Sequence, residues 1–369
     1  MRYLFDIVHP AHVHFYKNLI PALRARGHET LIVAREKDVT RDLLDLYGLP
    51  YVSTGRAGAK GVLGQATELM RRDSAIFRLI RDFRPDVVLT RNPAGVQAAR
   101  AARTVGVFDT DDGTAAGVHF RAAAPFAHLV TTPDCLPEHY GTKHVRYPSY
   151  KVLAYLHPNR FQPDPSVREL LGVDEDEPYF LVRFVAMTAA HDRNEAGLTL
   201  SAKRSLVDRL QGAGRVFISS EMPLPPEFER LRFNIEPHRL HDAMAFAQLC
   251  IGDSQTMAAE SAVLGVPSIR CSTFAGRLAY LDELGLRYGL TFSYRPAEFD
   301  LMMGRLDDLL AYGVDAELWR QRRGAMLAEK CDLTEWYLNF LEVLPDVNAS
   351  GGDIDAAMTM AGEISPGRA

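Results

Sequence analysis

The sequence predicts an α/β protein of two Rossmann-like domains whose parallel sheets face a cleft. Short apolar runs alternate with helix-period segments over most of the chain, which is the pattern of β-α-β units with helices on both sheet faces. The rhythm breaks once, between about Leu156 and Pro178, and then resumes. The length of 369 residues also exceeds what one hydrophobic core usually serves.

The elements follow in order. Tyr3–Val8 reads as a buried strand and Phe15–Arg26 as a helix stopped by Gly27. Strands follow at Thr30–Ala34, Tyr51–Ser53, Val87–Thr90, Val105–Phe108 and Leu129–Thr131, with helices between them. Residues 1–156 therefore form a first domain. Residues 157–178, with His157-Pro158, Gln162-Pro163-Asp164-Pro165 and the acidic Asp174–Glu177, read as a linker. The second domain, 179–331, has strands at Phe180–Val185, Val216–Ser219, Leu249–Gly252, Pro267–Arg270 and Leu290–Phe292. Its helices are expected at Ser201–Leu210, Asp242–Ala247, Gln255–Leu264, Ala297–Tyr312 and Ala316–Ala328. An amphipathic helix at 332–345 is placed to cross back to the first domain, and 346–369 reads as a loose tail.

An apolar content of 47% and a charged content of 24% are those of an ordinary soluble globular protein. A net charge of -5 gives no general attraction to nucleic acid, which is not expected as a partner. Four scattered cysteines without a Cys-x-x-Cys pair argue against a disulfide framework or zinc site and for a reducing cytoplasm. The N-terminus lacks the apolar region of a signal peptide, and charges interrupt every apolar run well short of a bilayer's span. A peripheral contact with the inner face of the membrane is one reading of the segment after Gly55–Lys60. It carries Arg71, Arg72, Arg78 and Arg81 among Leu69, Met70, Ile76, Phe77, Leu79 and Ile80. A solvated basic face over a core-facing stripe is the other.

The segment from Leu249 to Arg270 carries the strongest chemical signal. A strand ends at Gly252, Ser254 can cap the next helix, and Gly265 with Pro267 ends it. The first-turn amides of such a helix lack intrahelical acceptors and carry the positive end of its dipole, so a diphosphate is stabilised there without a metal. Thr256 and Glu260 lie one turn apart, the first placed for a phosphate and the second for ribose hydroxyls. A plain strand-helix-strand unit with a surface glutamate is the alternative.

This segment resembles the nucleotide-binding helix of the GT-B superfamily, notably non-hydrolysing UDP-N-acetylglucosamine 2-epimerases and the peptidoglycan N-acetylglucosaminyltransferase. Asp253, Ser254 and Glu260 match the epimerase pattern Asp-Ser-Gly-Gly followed by a helical glutamate, while Gln255 and Thr256 replace its glycines. A further resemblance, over about residues 1–345, is to a family assigned to this superfamily as predicted glycosyltransferases. It rests on the opening strand-His-Pro segment, Tyr150-Lys151…Tyr155-Leu156, Arg183-Phe184…His191-Asp192 and Gly252-Asp253-Ser254. The resemblance implies a GT-B fold with an N-terminal acceptor and catalytic domain and a C-terminal domain for a nucleotide-diphosphate sugar.

It also implies residue roles. His191 falls on the histidine of the epimerase Thr-x-His-Arg-x-Glu-Asn loop, and Asp111 and Asp109 fall on the epimerase His-Val-Glu-Ala-Gly segment. Clustered carboxylates raise one another's pKa and can supply a base near neutral pH. Asp109-Thr110-Asp111 also spells the Asp-x-Asp of metal-dependent transferases. Because a helix N-terminus already supplies positive charge, no metal and no resident cofactor are expected. In the first β-to-α loop, His9, His12 and His14 face the cleft edge, and His12 is placed to take an acceptor proton. The catalytic set expected is thus Asp111, His191, His12 and Asp109. The nucleotide-sugar set is Ser254, Gln255, Thr256, Glu260, Asp253, Arg183 and His9. Two epimerase acid/base positions fall on Asn92-Pro93-Ala94 and Arg121–Phe126. Such losses cost orders of magnitude, so a transferase is favoured over an epimerase or a non-catalytic binder. The donor is expected to be a UDP-sugar, and the acceptor a glycan, lipid-linked or small molecule in cell-surface glycan or glycoconjugate synthesis.

Overall fold

A computed structural model describes residues 1–36, 38–56, 61–184, 198–220, 223–312 and 315–350. It comprises two compact units: Met1–Arg160 with Cys331–Ala369, and Phe161–Lys330.

The first unit holds seven strands: β1 (Arg2–Ile7), β2 (Glu29–Glu36), β3 (Val52–Arg56), β4 (Val87–Thr90), β5 (Val105–Asp109), β6 (Leu129–Pro133) and β7 (His144–Tyr147). They are hydrogen-bonded in the order β3-β2-β1-β4-β5-β6-β7, every pair parallel. Apolar runs locate the first six strands but not β7. Its His144 and Arg146 alternate with Val145 and Tyr147, so an edge position replaces the buried run. The helix expected over Phe15–Arg26 is instead two, Pro10–Tyr16 and Leu19–Ala25. At the break, Asn18 turns its Nδ2 to the Ala154 carbonyl at 2.9 Å.

On one sheet face Leu4, Val33 and Val88 pack under Ile76, Ile80, Ala94 and Ala98. The long helix Gly61–Phe83 supplies Ile76 and Ile80. Of its arginines, Arg71, Arg78 and Arg81 are exposed, but Arg72 is buried and does not belong to the basic face expected of it. Its guanidinium donates to Asp6 Oδ1 at 2.5 Å, Asn92 Oδ1 at 3.2 Å and Thr54 Oγ1 at 3.3 Å. Thr90 Oγ1 donates to the other Asp6 oxygen at 2.9 Å. Gly95 permits this cluster, since a Cβ there would come within 2.9 Å of Asp6 Oδ2. The helix Leu333–Ser350 packs on this unit, with Tyr3 Oη donating to the Leu341 carbonyl at 3.3 Å. It runs on through Pro345, where a loose tail was expected. The part of the Gly55–Lys60 stretch from Ala57 on lies outside the described residues.

The second unit holds β8 (Tyr179–Phe184), β9 (Arg215–Ser220), β10 (Leu249–Gly252), β11 (Ser268–Cys271) and β12 (Thr291–Tyr294), ordered β12-β11-β10-β8-β9 and all parallel. Alternation along β8 sends Phe180, Val182 and Phe184 to one core and Tyr179 and Leu181 to the other. Part of the stretch read as linker joins that second core. Helix Val167–Leu171 buries Val167 and Leu171 there, so its apolar face overrides the surrounding turn residues. No helix among the described residues is long and apolar enough to cross a membrane.

Arg72→Ala would leave the Asp6 carboxylate fully buried without its cation. We expect a loss of about 3–5 kcal/mol, read from chemical unfolding; a loss under about 1 kcal/mol would contradict the pairing described.

Candidate functional site

In an open parallel sheet, ligands meet the loops leaving the carboxyl ends of the strands where the strand order reverses. Each unit has one such place. In the first it lies between β1 and β4, and in the second between β8 and β10.

In the second unit β10 ends at Gly252, which lies so close to β8 that a Cβ would overlap the Arg183 carbonyl. The Asp253 amide donates to that carbonyl at 3.2 Å. This close approach fixes the turn into helix Gln255–Leu264. Ser254 has extended dihedrals, and its Oγ accepts from the Met257 amide at 3.3 Å, as an N-cap does. Gly265, with φ 82°, closes the helix in the left-handed region. Met257 through Val263 are all buried, while Ser254, Gln255 and Thr256 at the helix start are half-buried. Arg183, Gly252, Ser254, Met257 and Ala258 line a shallow recess at that start. Arg183 donates from Nη1 to Ser219 Oγ at 2.7 Å.

Gln255 is clamped at both ends: its Nε2 donates to Ser272 Oγ at 3.1 Å, and its Oε1 accepts from Arg270. Thr256 is half-buried beside it. Glu260 is 4% exposed, which excludes the surface-glutamate alternative. Its Oε1 lies 3.1 Å from Nε2 of His241, itself buried on helix Leu240–Ala245. His191 lies outside the described residues.

In the first unit, the loop after β1 carries the histidines. His9 Nδ1 accepts from the Ala11 amide at 3.2 Å and caps helix Pro10–Tyr16; that ring nitrogen serves the helix where a ligand contact was expected. His14 is buried against Tyr155, with ring centroids 5.4 Å apart. His12 is half-buried, its Nδ1 3.5 Å from the Val8 amide. Desolvation, followed by the nearby Arg91 charge, holds its pKa well below 6.5. The imidazole is therefore neutral at pH 7.

Asp109 and Asp111, at the end of β5, are both buried and both ion-paired to Arg91, which follows β4. The second Asp111 oxygen meets Lys151 Nζ at 2.7 Å, and the second Asp109 oxygen accepts from Tyr337 Oη at 2.7 Å and Thr131 Oγ1 at 3.1 Å. The expectation that these carboxylates raise one another's pKa is corrected here. Burial pushes the Asp111 carboxyl up, but the Arg91 and Lys151 charges and a Lys151 hydrogen bond outweigh it and hold it far below the usual range. Two cations between two carboxylates make the ionised form the stable one. Asp111 is therefore a fixed anion and a poor proton acceptor near pH 7. Arg91 and His241 were missed by sequence reading. A charged residue directly after the apolar run Val87–Thr90 is the signal that would have found Arg91; nothing local marks His241.

Residues 1–127 match a family described as "Protein of unknown function (DUF354)". No curated protein matches the sequence. Among solved structures, S. aureus MnaA in complex with UDP superposes with a TM-score of 0.67 at 12% identity, covering 94% of this chain and 97% of that one. The UDP-GlcNAc 2-epimerase of Neisseria meningitidis bound to UDP-GlcNAc gives 0.59 at 11%, covering 88% and 94%. The glycosyltransferase SsfS6 of Streptomyces sp. SF2575, complexed with thymidine diphosphate, gives 0.57 at 15%, covering 91% and 98%.

Two predictions follow from these environments. Glu260→Ala removes the acceptor facing a buried histidine. It should destabilise the protein by about 1–3 kcal/mol, where a surface glutamate would leave unfolding unchanged. His12 and His144 both have folded pKa values depressed from 6.5 by burial, that of His144 to about 4. In each case the unfolded state binds the proton first, so stability is complete above about pH 6.5 and falls on acidification, the His144 share being lost by about pH 4. Melting curves should show this decline, and His144→Asn should flatten it. The fold that carries these sites is of GT-B type, two Rossmann-like units each built on a parallel sheet.

Proposed function

We propose that this protein is a nucleotide-sugar enzyme that receives a pyrimidine nucleoside diphosphate at the start of the Gln255 helix and transfers the attached sugar to an acceptor hydroxyl. The observation that carries this reading is that helix start: a capped, ten-residue helix, buried along its length, opening at the strand-order reversal of the second sheet. Its free amides and dipole suit a diphosphate. Support also comes from fold relatives whose structures hold UDP and thymidine diphosphate.

In the proposed reaction the acceptor oxygen attacks the anomeric carbon, the bond from that carbon to the diphosphate oxygen breaks, and the nucleoside diphosphate leaves with the electron pair onto the helix start. The neutral His12 imidazole is the group of the first unit suited to take the acceptor proton. Glu260, held by His241, is the group we assign to the ribose hydroxyls. Asp111 and Asp109 keep Arg91 and Lys151 in place as a neutralised buried quartet. Epimerisation at C2 would need a carboxylate able to accept a proton, and the charge environment of Asp111 argues against that role. We assign the acceptor to the class of glycans, lipid-linked sugars or small hydroxyl compounds, and the reaction to the cytoplasmic side of glycoconjugate synthesis, without a metal.

Purified protein should bind UDP by calorimetry and release it from UDP-N-acetylglucosamine or a related donor only when an acceptor is present. Appearance of the C2 epimer without acceptor would reassign the protein as an epimerase, and binding with no turnover across donors and acceptors would make it a binder. His12→Asn should keep UDP affinity and lose about 10²–10⁴-fold in turnover; an active variant would remove His12 as the base.

A further inference from the structure

We propose that Arg270 is an anion-recognition group of this site, its buried guanidinium taking phosphate oxygens of the diphosphate that the Gln255 helix receives. The proposal rests on the nucleoside diphosphate reading above and deepens it. Arg270 lies on β11 opposite Gly252 of β10, the residue from which the chain turns into that helix. Its relative exposure is 0%, making it the largest fully buried side chain of the molecule's described part. Nη1 donates to Gln255 Oε1, the side chain of the first helical residue, so the guanidinium reaches the helix start. Nε and Nη2 have no hydrogen-bond partner.

Among the described residues no carboxylate oxygen lies within 4 Å of this guanidinium. Asp282, whose charge it feels, is not in ion-pair contact, and burial pushes that carboxyl up from its ordinary value. A buried cation without a counter-charge is costly, and costlier beside the positive end of a helix dipole. Two unmet donors on a buried cation at a helix start suit a group carrying several anionic oxygens. A diphosphate is such a group, and its arrival relieves the repulsion between the guanidinium and the helix start. Gln255 stands where the epimerase pattern has a glycine. It is half-buried over Arg270 and tethered to Ser272, so rotation of this one side chain would open the guanidinium to a ligand.

The test measures UDP, UMP and inorganic pyrophosphate binding by calorimetry, with melting temperatures, for the wild type, Arg270→Met and Arg270→Lys. The methionine variant should lose on the order of 10- to 100-fold in UDP affinity and much of the preference for UDP over UMP. Without ligand it should melt no lower than the wild type, because an unpaired buried charge has been removed. The lysine variant, with one compact charge in place of a planar fork, should fall between the two in UDP affinity. It serves as the reading if the methionine variant does not fold. Unchanged UDP and pyrophosphate binding in either variant would overturn the role. So would a lowered melting temperature with an intact UDP-to-UMP ratio, the signature of an arginine satisfied by internal water. A wild type that binds pyrophosphate through Arg270 but not UDP would sink the nucleotide reading and leave the anion site standing. UDP binding indifferent to Arg270 would do the reverse.

Discussion

A parallel sheet must bury both faces beneath its crossover helices, and that constraint organises everything polar in this protein. Along β1, β4, β8 and β10 the side chains are almost wholly buried and mostly apolar. Polar and charged groups gather at the carboxyl edges, where the loops leave. His9 and His12 follow β1, Arg91 follows β4, Asp109 and Asp111 close β5, Arg183 sits near the end of β8, and Ser254 follows β10. In β1, Asp6 enters the core with Arg72, Thr90 and the missing side chain of Gly95 around it.

The two units handle charge in opposite ways. In the first, Arg91 and Lys151 are matched by Asp109 and Asp111, a closed set whose remaining acceptor capacity is met by Tyr337 and Thr131. The Arg91 and Lys151 charges hold Asp111 ionised, and burial holds His12 neutral at pH 7. In the second unit, Arg270 is buried with two of its donors unmet and no carboxylate within ion-pair distance among the described residues.

Much of the fold was legible because it is written in local periodicity. Among the described residues eleven of the twelve strands were located from their apolar residues; β7 was not, because His144 and Arg146 interrupt it. The Gln255 helix was legible to the residue, since Ser254 and Gly265 are punctuation that acts over one turn. Helix Val167–Leu171 was hidden by the prolines around it, and Arg72 was counted with a basic face because spacing cannot tell which arginine turns inward.

What the sequence determined by itself is therefore the two α/β halves, the strand-to-helix turn at Gly252-Asp253-Ser254, and the presence of histidines and carboxylates at the ends of strands. Tertiary structure alone decided what those groups are. Asp111 is a fixed anion because Arg91 and Lys151, 20 residues before it and 40 after, converge on it. Glu260 is a buried, oriented carboxylate because His241 packs onto it from another helix. Arg270 keeps two unmet donors because β11 carries it beneath the start of a helix whose first turn has no acid. Periodicity and capping act across a few bonds, whereas ionisation and hydrogen-bond partnership depend on which distant segments the fold brings within a few ångströms.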